Sequence, residues 1–341
     1  MDLSLTESEA AFRDEVRSWL EENHPGQAPE GDDAAEFEFR RAWQKKMHDA
    51  GWAGISWPEE YGGKGATLIE QSIFNEELAR QRVPAPANVL GLVMGGPVVI
   101  AQGNEEQKER YLEPILSGDE IWCQGFSEPD SGSDLASLKT RAVKANGTWK
   151  VTGQKVWTTY AHEAKFCMLL ARTDQDAPKH KGITYFILDM EQPNVDVRPL
   201  RQITGEAEFN EIFLEEAEIP DENVIGQVGG GWQVAITTLM FERAGLGAAA
   251  VIGLKRSMED LIAIVRERGV DEDPVVRQKI AELQIGIEAM RLGSLRALTQ
   301  QMKVGIPGPE GSIAKWEWAM LNQKLTDLAA DILGPEALRP G

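Results

Sequence analysis

The chain has 341 residues, with 35 basic and 55 acidic side chains and a formal net charge of −20. About 42% of its residues are hydrophobic and 26% charged, an ordinary globular mixture long enough for two or three domains or one composite enzyme. The acidic balance excludes nucleic-acid binding through clustered Lys and Arg, because phosphate contacts require such clusters.

Taken in chain order, Thr6 followed by Glu9 reads as a helix-starting capping box. Phe12, Val16, Trp19 and Leu20 then share one helical face, and Asn23-His24-Pro25-Gly26 stops the run. A second helical run passes through Trp43 and Met47 to a stop at Gly51, and residues 52–65 form a Gly- and aromatic-rich loop. Further helices are expected over roughly residues 67–80 and through Tyr111, Leu112, Ile115 and Leu116. The stretch 89–101 is too short for a bilayer and is broken by Gly91, Gly95, Gly96 and Pro97, so no membrane span is expected. No basic segment leading into an apolar one opens the chain, so no secretory signal is expected either.

From about Ile121 the pattern changes. Asn146-Gly147 is a hairpin turn signal, and residues 149–153, 166–170, 183–190, 195–200 and 209–214 read as short strands. Strands this short without intervening helices predict an antiparallel barrel or sandwich. After Gly229-Gly230-Gly231 a helical pattern runs from Trp232 to Arg268, and two or three more helices follow. The expected fold class is α+β, mostly helical: an N-terminal helical domain over 1–120, a small central antiparallel β domain over 121–228 and a C-terminal helical bundle over 229–341. Cys123 and Cys167 are too few for a disulfide framework and fit a reducing cytoplasm. Four scattered histidines without a Cys cluster or H-E-x-x-H leave no recognisable metal motif.

Polar chemistry concentrates in residues 124–135 and 153–159. By composition the first is a loop opening the β domain, although its hydroxyls, glycines and free amides suit a large polar cofactor. By residue type alone Trp157 fits a core aromatic with a hydrogen-bonded indole. In the helix after Gly231, Ala235, Leu239, Glu242, Leu246, Ala249 and Gly253 fall on one face, with Glu242 its only charge. Such a carboxylate must be paired, for instance with Arg243 or another helix, or have its pKa raised. Gly245 to Ala250 imitates a G-x-G-x-x-A fingerprint but has no preceding strand, and Ser131-Gly132-Ser133 is no nucleophile elbow.

The segments F-S-E-P-D-S-G-S-D-L (126–135) and G-Q-K-V-W-T-T (153–159) resemble the flavin-binding signature of the acyl-CoA dehydrogenase family. W-P-E-E-Y-G-G-K-G (57–65), F-N-E-E-L-A-R (74–80) and G-G-G-W (229–232) match further family segments in the same order. The resemblance implies an FAD site in which Gln124, Gly125, Phe126 and Ser127 line the isoalloxazine, Ser127 standing where many members have Thr. It places Thr158 and Thr159 beside the ring, Thr159 near N5, and Trp157 over it, with Ser133 touching the CoA portion of the substrate. M-F-E-R (240–243) matches the segment in which some members carry the catalytic base, which implies Glu242 as base with Met240 and Arg243 beside the substrate. An ungapped count from Glu242 puts Arg268 at the position of an Arg that meets a neighbouring subunit's FAD.

Other members carry the base in a Gly-Gly-Thr-x-Glu-like segment near the C-terminus, which is not in this sequence. The sequence stops at Leu338-Arg339-Pro340-Gly341, where relatives usually continue. The resemblance therefore implies a short or C-terminally cut member of actinobacterial type. The implied reaction is α,β-dehydrogenation of an acyl-CoA thioester in fatty acid or lipid catabolism, with electrons passed to an electron-transfer flavoprotein. Homo- or hetero-oligomers, dimers or tetramers, are the implied assemblies. Two alternatives stay open: a partner subunit of a heterotetramer with little activity alone, and a flavin oxidase or monooxygenase on the same fold.

Overall fold

The Thr6 amide donates to Glu9 Oε2 at 2.8 Å and the Glu9 amide to Thr6 Oγ1 at 3.3 Å, so the expected capping box starts α1 (Glu7–Asn23). The structure is a computed structural model that describes residues 4–29, 31–244, 247–305, 308 and 310–339, with the side chains of Arg243, Ala244 and Ala248 outside that description. The next helices are α2 (Asp33–Asp49), α3 (Leu68–Arg80), α4 (Gly96–Gln102) and α5 (Glu105–Ser117). Thr67 with Glu70 and Asn104 with Gln107 repeat the capping box at α3 and α5. The strands follow as β1 (Trp122–Gly125), β2 (Arg141–Ala145), β3 (Thr148–Thr159), β4 (Phe166–Arg172), β5 (Ile183–Asp189), β6 (Val195–Leu200), β7 (Phe209–Pro220) and β8 (Val224–Ile225). The chain then returns to helix in α6 (Gly231–Ala244), α7 (Gly247–Glu267), α8 (Pro274–Val304) and α9 (Glu310–Leu333).

By internal packing the chain forms two units. One comprises Met1–Gly26, Ala66–Pro84 and Glu242–Gly341, and the other Gln27–Gly65 and Ala85–Phe241. In the first, Val251, Leu254, Met258, Leu261 and Val265 of α7 bury one face against Leu283, Ile287 and Met290 of α8 and Leu325 and Leu328 of α9. The α7 core stripe therefore differs from the expected one: Ala249 and Gly253 are only half-buried. Leu246, and with Gly245 part of the fingerprint-like segment, lies outside the described residues. In the same unit the fully buried Glu77 of α3 accepts from Arg17 Nε and Nη2 at 3.1 and 3.0 Å.

The second unit holds the sheet, in the order β6-β7-β3-β2-β4-β5-β8 with β1 added beside β4. Asn146 and Gly147 take φ of 54° and 81°, the left-handed pair that a tight hairpin between β2 and β3 requires. β4 and β5 are buried along nearly their whole length, which is why both read as unbroken apolar runs. The sheet is mostly antiparallel, with one correction to the expectation: β1 runs parallel to β4, from Trp122 opposite Phe166 to Gly125 opposite Leu169. β2 also meets β4 in parallel at Arg141 and Arg172. The long connection from β1 to β4, containing the β2–β3 hairpin, allows the chain to return in the same direction. Among the described residues no helix is long and apolar enough to cross a membrane.

Candidate active site

β1 delivers the first polar segment. A Cβ on Gly125 would stand 2.7 Å from Cys167 Sγ on β4, so only glycine lets the two strands approach. Phe126 is buried edge-on against Tyr185, with ring centroids 5.8 Å apart. Gln124 is half-buried and its Nε2 lies 3.7 Å from Met94 Sδ. The Val156 amide donates to the Ser127 carbonyl at 3.0 Å, which joins the start of the first segment to the middle of the second. The Ser127 amide and hydroxyl have no hydrogen-bond partner among the described residues. Beyond Ser127 the loop closes on itself through reciprocal Glu128–Ser131 backbone bonds of 3.0 Å, and Ser133 is exposed at its far side.

Beneath this loop is a buried ion pair that residue patterns did not single out. Lys155 Nζ donates to Glu128 Oε1 at 2.9 Å and to the Phe126 carbonyl at 3.1 Å. The Lys139 and Thr140 amides donate to the Glu128 carboxylate at 2.6 and 2.9 Å. Burial pushes the Lys155 ammonium below the usual lysine range, against the pull of Glu128. Burial alone would raise Glu128, but the charge of Lys155 and the bonds from Thr140 and Lys139 hold its carboxyl below the usual range. Each of the two residues lies in a quoted segment, but nothing local says that a Lys within a strand turns inward.

Trp157 occupies an irregularity of β3. The β3–β7 register shifts between Lys155 and Thr158, and Trp157 takes φ of 61°, a region costly for a bulky residue. The shift turns the indole outward, where it is 63% exposed and meets Phe209 edge-on at 6.1 Å. Trp157 is therefore not the core aromatic its residue type suggested. Thr158 is fully buried with an unpartnered hydroxyl, and Thr159 is half-buried opposite Phe209. The fully buried Asn210 of β7 fixes this stretch: its Nδ2 donates to the Thr158 carbonyl at 2.9 Å and to the Glu208 carbonyl at 3.1 Å. Its Oδ1, an acceptor only, lies 3.0 Å from His162 Nδ1 and takes the hydrogen bond from that ring nitrogen.

On α6, Val234, Ala235 and Thr238 are buried, and the Thr238 hydroxyl donates to the Tyr185 hydroxyl at 3.3 Å. Tyr185 thus stands between α6 and the Phe126 ring, and its burial raises the phenol pKa. Met240 is half-buried. Glu242 is exposed, without a salt-bridge partner among the described residues, and the Arg243 side chain lies outside them. Arg268, at the end of α7, is ion-paired with Glu336. The structure therefore brings Gln124 to Ser127 together with Trp157 to Thr159, whereas Glu242 and Arg268 belong to the other unit. An exposed aromatic face beside unpartnered donors on Ser127 is a surface that fits a flat, polar-edged ring such as a flavin.

The sequence matches three successive family descriptions: acyl-CoA dehydrogenase N-terminal domain over residues 6–119, middle domain over 123–217 and C-terminal domain over 229–341. The chain belongs to the acyl-CoA dehydrogenase family. It is thus an oxidoreductase of a family whose members are generally FAD flavoproteins. Acyl-CoA dehydrogenase IpdE1 of Mycobacterium tuberculosis is 38% identical over 330 residues, covering 95% of this chain and 85% of the relative. Acyl-CoA dehydrogenase FadE34 of the same organism is 40% identical over 289 residues, covering 85% of this chain and 40% of the relative. Among solved structures, the Tcur3481-Tcur3483 steroid ACAD matches with a TM-score of 0.84 and 30% identity, covering 99% of this chain and 87% of that one. The ChsE4-ChsE5 complex from Mycobacterium tuberculosis matches with a TM-score of 0.83 and 27% identity, covering 99% and 88%.

Proposed function

We propose that this acyl-CoA dehydrogenase family member removes the α- and β-hydrogens of an acyl-CoA thioester to give the trans-2-enoyl-CoA. FAD, when bound, supplies the acceptor for the β-hydride, and an electron-transfer flavoprotein takes the electrons onward. The observation that carries the cofactor reading is the pairing of the exposed Trp157 face with the free amide and hydroxyl of Ser127, joined through the Val156–Ser127 bond. Gln124, Gly125, Phe126, Thr158 and Thr159 complete the ring-binding surface, Gly125 and Thr158 through their backbone.

In this reading Glu242 takes the α-proton. An α-C–H beside a thioester is a far weaker acid than a carboxylic acid, so the developing enolate needs donors worth roughly 3–4 kcal/mol each at its oxygen. The bound acyl chain would also exclude water from around Glu242, as proton abstraction beside a thioester requires. Met240 and Arg243 sit beside Glu242 in sequence and line the acyl end in this proposal, with Ser133 at the CoA end and Arg268 reserved for a neighbouring subunit's FAD. The steroid ACAD match directs the substrate choice to thioesters with bulky polycyclic acyl groups. The two free, buried cysteines suit the cytoplasm, where the proposal places the reaction.

A second reading is favoured by the paired names of the matched assemblies: the chain works as one half of a hetero-oligomer. Ile313, Trp316 and Met320 expose an apolar stripe on α9, and Ile285 and Leu292 another on α8, as a subunit interface requires. Both readings are tested by the visible spectrum of the purified chain followed by anaerobic addition of acyl-CoA thioesters, including steroid-derived ones. Yellow protein that bleaches supports the catalytic reading. Colourless protein supports the partner-subunit reading, and yellow protein that reacts with oxygen instead of an electron-transfer flavoprotein supports an oxidase.

A further inference from the structure

Two consecutive backbone carbonyls in the ring-binding segment are turned inward by neighbouring residues of β3. The Phe126 carbonyl accepts from Lys155 Nζ at 3.1 Å, and the Ser127 carbonyl accepts from the Val156 amide at 3.0 Å. In a trans peptide the carbonyl of one residue and the amide N–H of the next point in opposite directions. No cis peptide occurs among the described residues. Pulling the Phe126 carbonyl inward therefore turns the Ser127 N–H outward, and this is the amide that lacks a protein partner.

Lys155 is fully buried, and its second bond, to Glu128 Oε1 at 2.9 Å, fixes the ammonium against the loop. Glu128 is itself held by the Lys139 and Thr140 amides, so the ammonium cannot swing away without breaking a closed set of bonds. A cation bonded to a carbonyl also draws electron density through that peptide and makes its N–H a better donor. An ion pair built only to hold the loop to the strand would not need to bond this particular carbonyl.

We propose that Lys155 is a positioning residue that aims and polarises the Ser127 amide as a donor to an acceptor atom of the flavin ring. The inference rests on the flavin reading of the site and deepens it. A strengthened donor favours the electron-rich reduced ring, so Lys155 sets both cofactor affinity and the ease of reduction.

The test compares wild type with Lys155→Met, Lys155→Arg and the double variant Lys155→Met/Glu128→Gln, which leaves no unpaired buried charge. Each chain is titrated with FAD, and the absorption bands and midpoint potential of the bound flavin are measured. The double variant is expected to fold, to bind FAD about tenfold or more weakly, and to show shifted bands and a more negative potential. Lys155→Arg should return both toward wild type. A double variant that folds and binds FAD with unshifted bands and potential leaves Lys155 a structural residue and overturns the assignment alone. Wild-type protein that binds no FAD overturns the flavin reading and the assignment with it.

Discussion

Asn210 and Thr158 are joined across β7 and β3 by a 2.9 Å bond from the Asn210 side-chain amide to the Thr158 carbonyl, immediately after the left-handed Trp157. The same amide donates to the Glu208 carbonyl just before β7, which the Tyr160 amide also reaches at 2.7 Å, so one buried side chain ties β3 to the entry of β7 beside the bulge. Asn210→Ala leaves both carbonyls and His162 Nδ1 without this partner and is expected to cost about 2 kcal/mol of stability. Urea denaturation of the cofactor-free chain checks this, and an unchanged midpoint would show that water replaces the amide without loss.

Trp157 should behave in the opposite way. Its indole is largely exposed, so Trp157→Ala is expected to change the stability of the cofactor-free chain by no more than about 0.5 kcal/mol. FAD affinity should nevertheless fall by about tenfold, because the aromatic surface for the ring is gone. Fluorescence titration with FAD measures it, and wild-type affinity would remove Trp157 from the ring contact.

Gly125 and Cys167 define a steric pair. Gly125→Ala places a methyl 2.7 Å from Cys167 Sγ in a buried sheet and is expected to cost about 2 kcal/mol. In a Cys167→Ala background the same substitution should cost clearly less, since the opposing sulfur is absent. Equal costs in both backgrounds would place the strain elsewhere.

Acid should act on the Lys155–Glu128 pair with a definite sign. Glu128 titrates lower in the folded chain than in the unfolded one. Its contribution is therefore complete above the ordinary glutamate value, about 4.3, and is lost as pH falls through the lower folded value. Unfolding free energies measured between neutrality and strong acid should fall less steeply in Lys155→Met/Glu128→Gln than in wild type. Parallel acid limbs would show that the pair carries none of this dependence.

Much of the fold was legible because its signals are local. Thr6 with Glu9 caps α1, and Asn146-Gly147 turns β2 into β3, as the residues alone say. The parallel approach of β1 to β4 was not legible, since it depends on where a long connection returns. In the site, the juxtaposition of residues 124–127 with residues 157–159 came from family resemblance, not from periodicity. The bulge that exposes Trp157 breaks the alternation on which strand reading depends. Lys155 and Glu128 meet across a loop closure that no pattern of neighbouring residues encodes.

If Glu242 is the base of an acyl-CoA dehydrogenation, anaerobic flavin bleaching followed by stopped flow in wild type and Glu242→Gln reports it. Wild type loaded with FAD should bleach on mixing with an accepted acyl-CoA. The variant should hold FAD equally well and bleach more slowly by about three orders of magnitude or more. Bleaching of Glu242→Gln at close to the wild-type rate would contradict the assignment and send the base to another residue.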